Sequence, residues 1–168
     1  MSLSRLSRAK LDPEDIGAII EEMERDGPRG AAILGATLVE AAIWSLLLAK
    51  MRPLEGKDVD DLFGDMKPLS TLSAKIKVGY AFRLFGPLTR GDLEKIRGVR
   101  NAFAHASRLI DFSTHEVAQA CLGLNCTTRF KTADARQAYT MSTKMLTSHM
   151  LMKFRDLGPI PPGYEPLD

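Results

Sequence analysis

Residues 31–49 read AAILGATLVEAAIWSLLLA, an apolar run whose single charge is Glu40 at its middle. The run is long enough to span a bilayer, but a carboxylate halfway along is expensive in lipid. A helix that is apolar on most of its sides belongs in a core. The run therefore reads as the buried central helix of a bundle, and no membrane contact is expected. Gly27-Pro28 precedes it, so the helix should run from about 28 to 50. Ala31, Gly35 and Ala42 are small enough to let a neighbouring backbone come close, while Trp44 and the leucines after it fill volume. A buried Glu40 needs a partner or a proton. Arg97, Arg100 and Lys75 are the cations on offer; the alternative is that Glu40 only reaches the bundle rim.

Shorter helices flank this one. Asp12-Pro13-Glu14-Asp15 supplies a cap, a proline in the first turn and acids for the dipole, so a first helix should cover about 13–26 with Ile16, Ile19, Ile20 and Met23 inward. Residues 51–69 are punctuated by Pro53, Gly56, Gly64 and Pro68 and read as a connection, with one short turn of helix from Asp58 to Phe63. Ser70 or Ser73 can cap a third helix through Phe85, with Ile76, Tyr80 and Leu84 on one face, stopped by Gly86-Pro87. Thr89 can cap a fourth running to about Arg108, in which Gly98 would mark a close approach to the central helix. Leu109 to Phe112 reads as an extended break. Ser113-Thr114-His115-Glu116 reads as a capping box for a short helix to about Leu122. Thr132 then caps a last long helix to about Asp156, packed through Ala138, Met141, Met145, Leu146, Met152 and Phe154.

No segment alternates as a strand does. The expected fold is all-α: a single-domain bundle of five to six helices over residues 12–157. A flexible basic N-terminus (1–11) precedes it, and a Pro-rich tail (158–168) that cannot continue a helix follows. With 168 residues the chain has room for one domain with a real core. No signal peptide is visible, and Cys121 and Cys126 fit neither a disulfide framework nor a metal motif. Two free thiols in a reducing cytoplasm is the expected state. His115 and His149 lack carboxylate or cysteine neighbours at ligand spacing, so neither a metal nor another cofactor is expected.

Charge is segregated. Residues 11–66 carry thirteen Asp and Glu against five Lys and Arg, whereas residues 67–108 carry nine Lys and Arg against Asp92 and Glu94. Such a basic block can face a phosphate backbone, or pair with the acidic block of the same chain or a twin subunit. It contains Arg100-Asn101-Ala102-Phe103-Ala104-His105. A guanidinium holds phosphate well and an imidazole moves protons near neutral pH, so these residues could serve phosphodiester cleavage. They could equally be a polar stripe that fixes bundle packing, with Arg100 on Glu40. Arg97, Asn101, His105 and Arg108 follow a helical stripe. Arg100 and His105 do not, since five residues turn an ideal helix through about 500°, leaving them about 140° apart. A kink, the helix end after Ala106 or a second copy of the helix would have to bring them together.

The RNAFAH string matches the R-x4-H signature of HEPN domains. Taken with Arg29-Gly30-Ala31-Ala32-Ile33-Leu34-Gly35-Ala36 and the following Glu40, with Pro68 through Lys77 (PLSTLSAKIK), and with Ile96-Arg97-Gly98-Val99 leading into it, the chain resembles the mannitol operon repressor (MltR-like) family over roughly residues 28–124. The resemblance implies an all-α fold, a homodimer or higher homo-oligomer, and a cytoplasmic transcription-repressor-type role acting through a protein regulator or RNA. The wider HEPN likeness implies the alternative, a metal-independent endoribonuclease. There His105 would be general acid or base, Arg100 would neutralise phosphorane charge, and Asn101 would orient His105 or a phosphate oxygen. Lys75, Lys77, Arg97 and Arg108 are the candidate binding residues, with Glu40 as a structural partner. A direct DNA-binding repressor is the third reading. Residues 73–108 imitate a helix-turn-helix, but Ile96, Val99 and Phe103 need burial, so DNA reading is not expected.

Overall fold

The computed structural model describes residues 12–129 and 132–157; the N-terminal eleven residues, the Pro-rich tail and the side chain of Phe154 lie outside the described part. Among the described residues seven α-helices follow in order: α1 Pro13–Arg25, α2 Pro28–Lys50, α3 Gly56–Phe63, α4 Leu72–Ala81, α5 Pro87–His105, α6 His115–Leu122 and α7 Ala135–Leu157, with a 3-10 turn at Asn125–Arg129 before α7. No strand occurs among the described residues. The count exceeds five to six because the segment read as one short turn is the complete helix α3. Its Phe63 is buried edge-on against Trp44, with ring centroids 6.1 Å apart.

The bundle is built around α2, which packs on α1, α4, α5 and α7. Ala31, Ala32, Leu38, Val39, Ala42, Ile43, Leu46 and Leu47 are all fully buried. By length and composition α2 could cross a membrane, but most of its apolar window is buried inside the bundle. Its closest neighbour is α7. A Cβ at Gly35 would lie 2.9 Å from Cε1 of Tyr139, so only glycine lets that ring in. Tyr139 then donates its hydroxyl to the Ala32 carbonyl at 2.7 Å. Burial, the larger effect, holds the Tyr139 phenol above its ordinary pKa. Gly98, by contrast, is exposed with nothing near an added Cβ; the close approach expected there is made at Gly35. In α1, Met23 carries the burial, and Ile16, Ile19 and Ile20 are only half-buried.

Several helix ends differ from their local signals. Thr71, not Ser70 or Ser73, caps α4 by accepting the Ala74 N–H at 3.1 Å. That helix stops at Ala81, short of Phe85, in a Schellman arrangement: Leu84 N–H reaches the Gly79 carbonyl (2.9 Å) and Arg83 N–H reaches that of Tyr80 (3.0 Å). Arg83 occupies the left-handed position, φ 56°, at a cost of about 1 kcal/mol relative to glycine. The stop lets Leu84 and Phe85 turn back into the core, where a Cβ on Gly79 would meet the Phe85 ring at 2.8 Å. Gly86-Pro87 opens α5 rather than closing α4, so Thr89 lies inside the helix. At its other end α5 stops at His105, leaving Arg108 beyond it. A longer helix would carry Phe112 away from the core, where its ring sits 5.1 Å from Phe103 and 5.5 Å from Tyr139.

The Ser113-Thr114-His115-Glu116 segment is not a capping box, for Thr114 makes no side-chain cap bond. Asp111 organises the turn instead, accepting the Ser113 hydroxyl (2.6 Å) and the Ser113 and Thr114 N–H groups (2.9 and 3.0 Å). These bonds, led by the Ser113 hydroxyl, hold the Asp111 carboxyl below the usual aspartate range. A depressed folded pKa contributes stability above the unfolded value, lost as pH falls through the folded one. The Asp111 carboxyl carbon should accordingly titrate by NMR below an ordinary aspartate in the native chain and normally in urea; equal midpoints would contradict this turn. In α7 the cap is Asp134, which accepts the Gln137 N–H at 2.9 Å, rather than Thr132. Met152 is 59% exposed, and Met150, two residues earlier and on the inward face, is buried in its place.

Candidate functional site

The RNAFAH segment forms the last turns of α5. Leu93, Ile96, Val99 and Phe103 are buried on its inner face, while Arg100 and His105 are exposed. The helix continues through both positions, so the separation of about 140° applies within one chain. Arg100 Nη1 donates to Asn101 Oδ1 at 3.1 Å. The helix end is completed from α2, where Arg29 Nη2 donates to the Ala106 carbonyl at 3.2 Å. Arg29 thus brings a further cation to the end that carries His105, a role its position 76 residues before His105 does not signal.

Glu40 takes Lys75, not Arg100: Nζ and Oε1 are 2.5 Å apart, the lysine side chain is 8% exposed and the carboxylate 32%. Lys75 therefore works inside the bundle. The basic block divides accordingly. Lys67 pairs with Asp61 at 3.0 Å, Arg97 with Glu94 at 2.8 Å, and Lys95 donates to the Gly123 carbonyl. Lys77, Arg83 and Arg108 are exposed and have no carboxylate partner among the described residues. Arg90 lies over the Tyr80 ring, 4.6 Å from its centroid. The stripe expected over Arg97, Asn101, His105 and Arg108 holds three residues on α5, since Arg108 is past its end.

Two polar residues with structural consequences gave no local signal. Asp92, 1% exposed, accepts the Asn125 N–H and the Asn125 side-chain amide (both 2.8 Å) and the Cys126 N–H (3.1 Å). Arg136 donates to the carbonyls of Met23, Glu24 and Asp26, closing the C-terminal end of α1. A pattern search could not find either, because their partners lie over thirty and over a hundred residues away. Cys121 is buried, which pushes its thiol up to about 12 and makes a thiolate nucleophile there unfavourable. Neither cysteine is joined in a disulfide. His115 and His149 are exposed, and no cluster of three His, Cys, Asp or Glu residues that could hold a metal occurs among the described residues.

Clefts open elsewhere on the described surface. One lies beside the α4–α5 turn, and another is bounded by Pro28, Phe112, Leu122 and the start of α7. Neither is lined by Arg100 or His105.

No family model matches the chain, and no curated protein matches its sequence. Among solved structures, a chain of the X-ray structure of the MtlR–HPr complex from Escherichia coli has the same fold. The TM-score is 0.66 at 18% identity, over 80% of this chain and 96% of that one. The likeness shows an all-α, MtlR-like fold.

Proposed function

We propose that the chain is a cytoplasmic regulatory protein of the MtlR kind, acting through contact with another protein rather than by turning over a metabolite. One observation carries the reading: the fold is shared over nearly the whole length of a chain solved in a complex with HPr. The surface cations Lys77, Arg83 and Arg108 support it, since none is paired with a carboxylate among the described residues. Repression of transcription and self-association enter through the family resemblance. The test is calorimetric titration of the full chain with HPr from the same genome. Saturable binding on the order of micromolar Kd is the expected result. No heat at hundreds of micromolar would remove HPr as the partner.

The exposure of both Arg100 and His105 favours a second reading, RNA cleavage. The 2′-hydroxyl would attack the adjacent phosphate and break its bond to the 5′-oxygen, with His105 taking the proton from the attacking hydroxyl or giving one to the departing 5′-oxygen and Arg100, seated on Asn101, meeting the developing negative charge. This chemistry needs a second copy of α5 to supply the missing convergence. Cellular RNA incubated with the chain and no added metal separates the readings. Cleavage lost in His105→Ala identifies the nuclease; intact RNA with both proteins leaves the regulatory role.

A further inference from the structure

We infer that the cleft beside the α4–α5 turn is a docking site for an acidic segment of a partner protein that carries an apolar anchor. Tyr80, Phe85 and Pro87 give the cleft apolar and aromatic walls around about 510 Å3. Beside them in the chain, Phe82 and Leu88 are 52% and 67% exposed. An open cleft with aromatic walls, next in sequence to exposed apolar side chains, fits a contact surface.

Among the described residues, the charged groups at this cleft share one sign: Arg83 and Lys153 line it, Arg90 is stacked on the Tyr80 wall, and no described carboxylate is among the lining residues. Lys153 donates to the Leu84 carbonyl at 2.6 Å, which brings the end of α7 to the α4–α5 turn and leaves two ammonium protons unspent. The Arg83 guanidinium has no partner among the described residues.

Arg83 also sits at the left-handed position of the Schellman turn, where glycine would be relaxed. Backbone strain of this kind points to a use for the side chain that the fold itself does not require. Carboxylates flanking an apolar side chain complement this arrangement: the side chain would fill the space between Tyr80 and Phe85, and the carboxylates would take Arg83 and Lys153.

This inference rests on the protein-contact reading above, and its test can fail separately from it. The probe is a fluorescein-labelled twelve-residue peptide alternating glutamate with leucine and phenylalanine, read by anisotropy against the full chain. A counterpart has lysine for every glutamate. The glutamate peptide should bind, the lysine peptide should not, and Arg83→Gly should weaken binding about fivefold or more. Arg83→Gly should at the same time raise Tm, because it relaxes the turn. A merely structural arginine predicts the rise in Tm without the loss of binding, and that result would overturn the proposal. So would equal binding of the two peptides, or a stronger response to phosphatidylglycerol vesicles or to single-stranded RNA that Arg83→Gly abolishes. Peptide binding with a silent HPr titration removes only HPr. HPr binding unchanged in Arg83→Gly, with a silent peptide, removes only this cleft.

Discussion

Asp92→Ala should lower folding stability by about 3–4 kcal/mol. The carboxylate accepts two backbone N–H groups and one side-chain amide at the start of the 3-10 turn, Asn125–Arg129, and the amide's other acceptor, the Leu88 carbonyl, is 3.4 Å away. Its site is sealed, so water cannot take its place at full strength. The turn links α6 to α7, and α5 carries Asp92. One side chain therefore ties three helices together. Urea unfolding measures the loss, and amide hydrogen exchange of residues 124–128 should accelerate beyond the global change. A loss below about 1 kcal/mol would mean that the orphaned donors find other acceptors, and the tie would not exist.

Glu40→Ala should cost about 2–3 kcal/mol, less than for a sealed ion pair because the carboxylate is one-third exposed. Most of the cost is the ammonium of Lys75 left inside the bundle; its remaining partner is the Ser70 carbonyl at 3.4 Å. The double variant Glu40→Ala/Lys75→Met should recover much of the stability, since an apolar side chain can occupy the space without a charge to satisfy. A double variant as unstable as the single one would show that packing at these positions, and not the stranded charge, sets the cost.

The parts legible from sequence were those governed by neighbours along the chain. Pro28 to Lys50 was bounded by Gly27-Pro28 and by loss of its apolar run, and α2 has those ends. Asp12 was a cap by its position before Pro13, and it caps. Other ends were not legible because a local signal competed with a distant contact. Helix α5 had nothing in Ala106-Ser107-Arg108 to stop it. It stops because Phe112 must reach Phe103 and Tyr139, and Arg29 meets the carbonyl left at Ala106. Ser113 to Glu116 looked like a capping box, yet the Ser113 hydroxyl is donated to the charged Asp111 carboxylate, which also accepts the Ser113 and Thr114 N–H groups.

For the candidate site, the identity of the basic residues was legible and their employment was not. Glu40 had three cations within range of a sequence argument, and only the packing of α4 against α2 selects Lys75. That choice leaves Arg100 on the surface with Asn101 as its partner. The cleft at the α4–α5 turn had no signature either, because it needs Lys153 from α7 beside a turn nearly seventy residues earlier.

The amino-acid order alone determined an all-helical chain built on one apolar helix, since helix formation and its apolar face depend on residues three and four apart. Tertiary structure decided which charges are consumed inside, which stay on the surface, and where α4, α5 and α7 begin or end. Those outcomes turn on burial and on hydrogen bonds across tens of residues, and desolvation acts only once the helices have met.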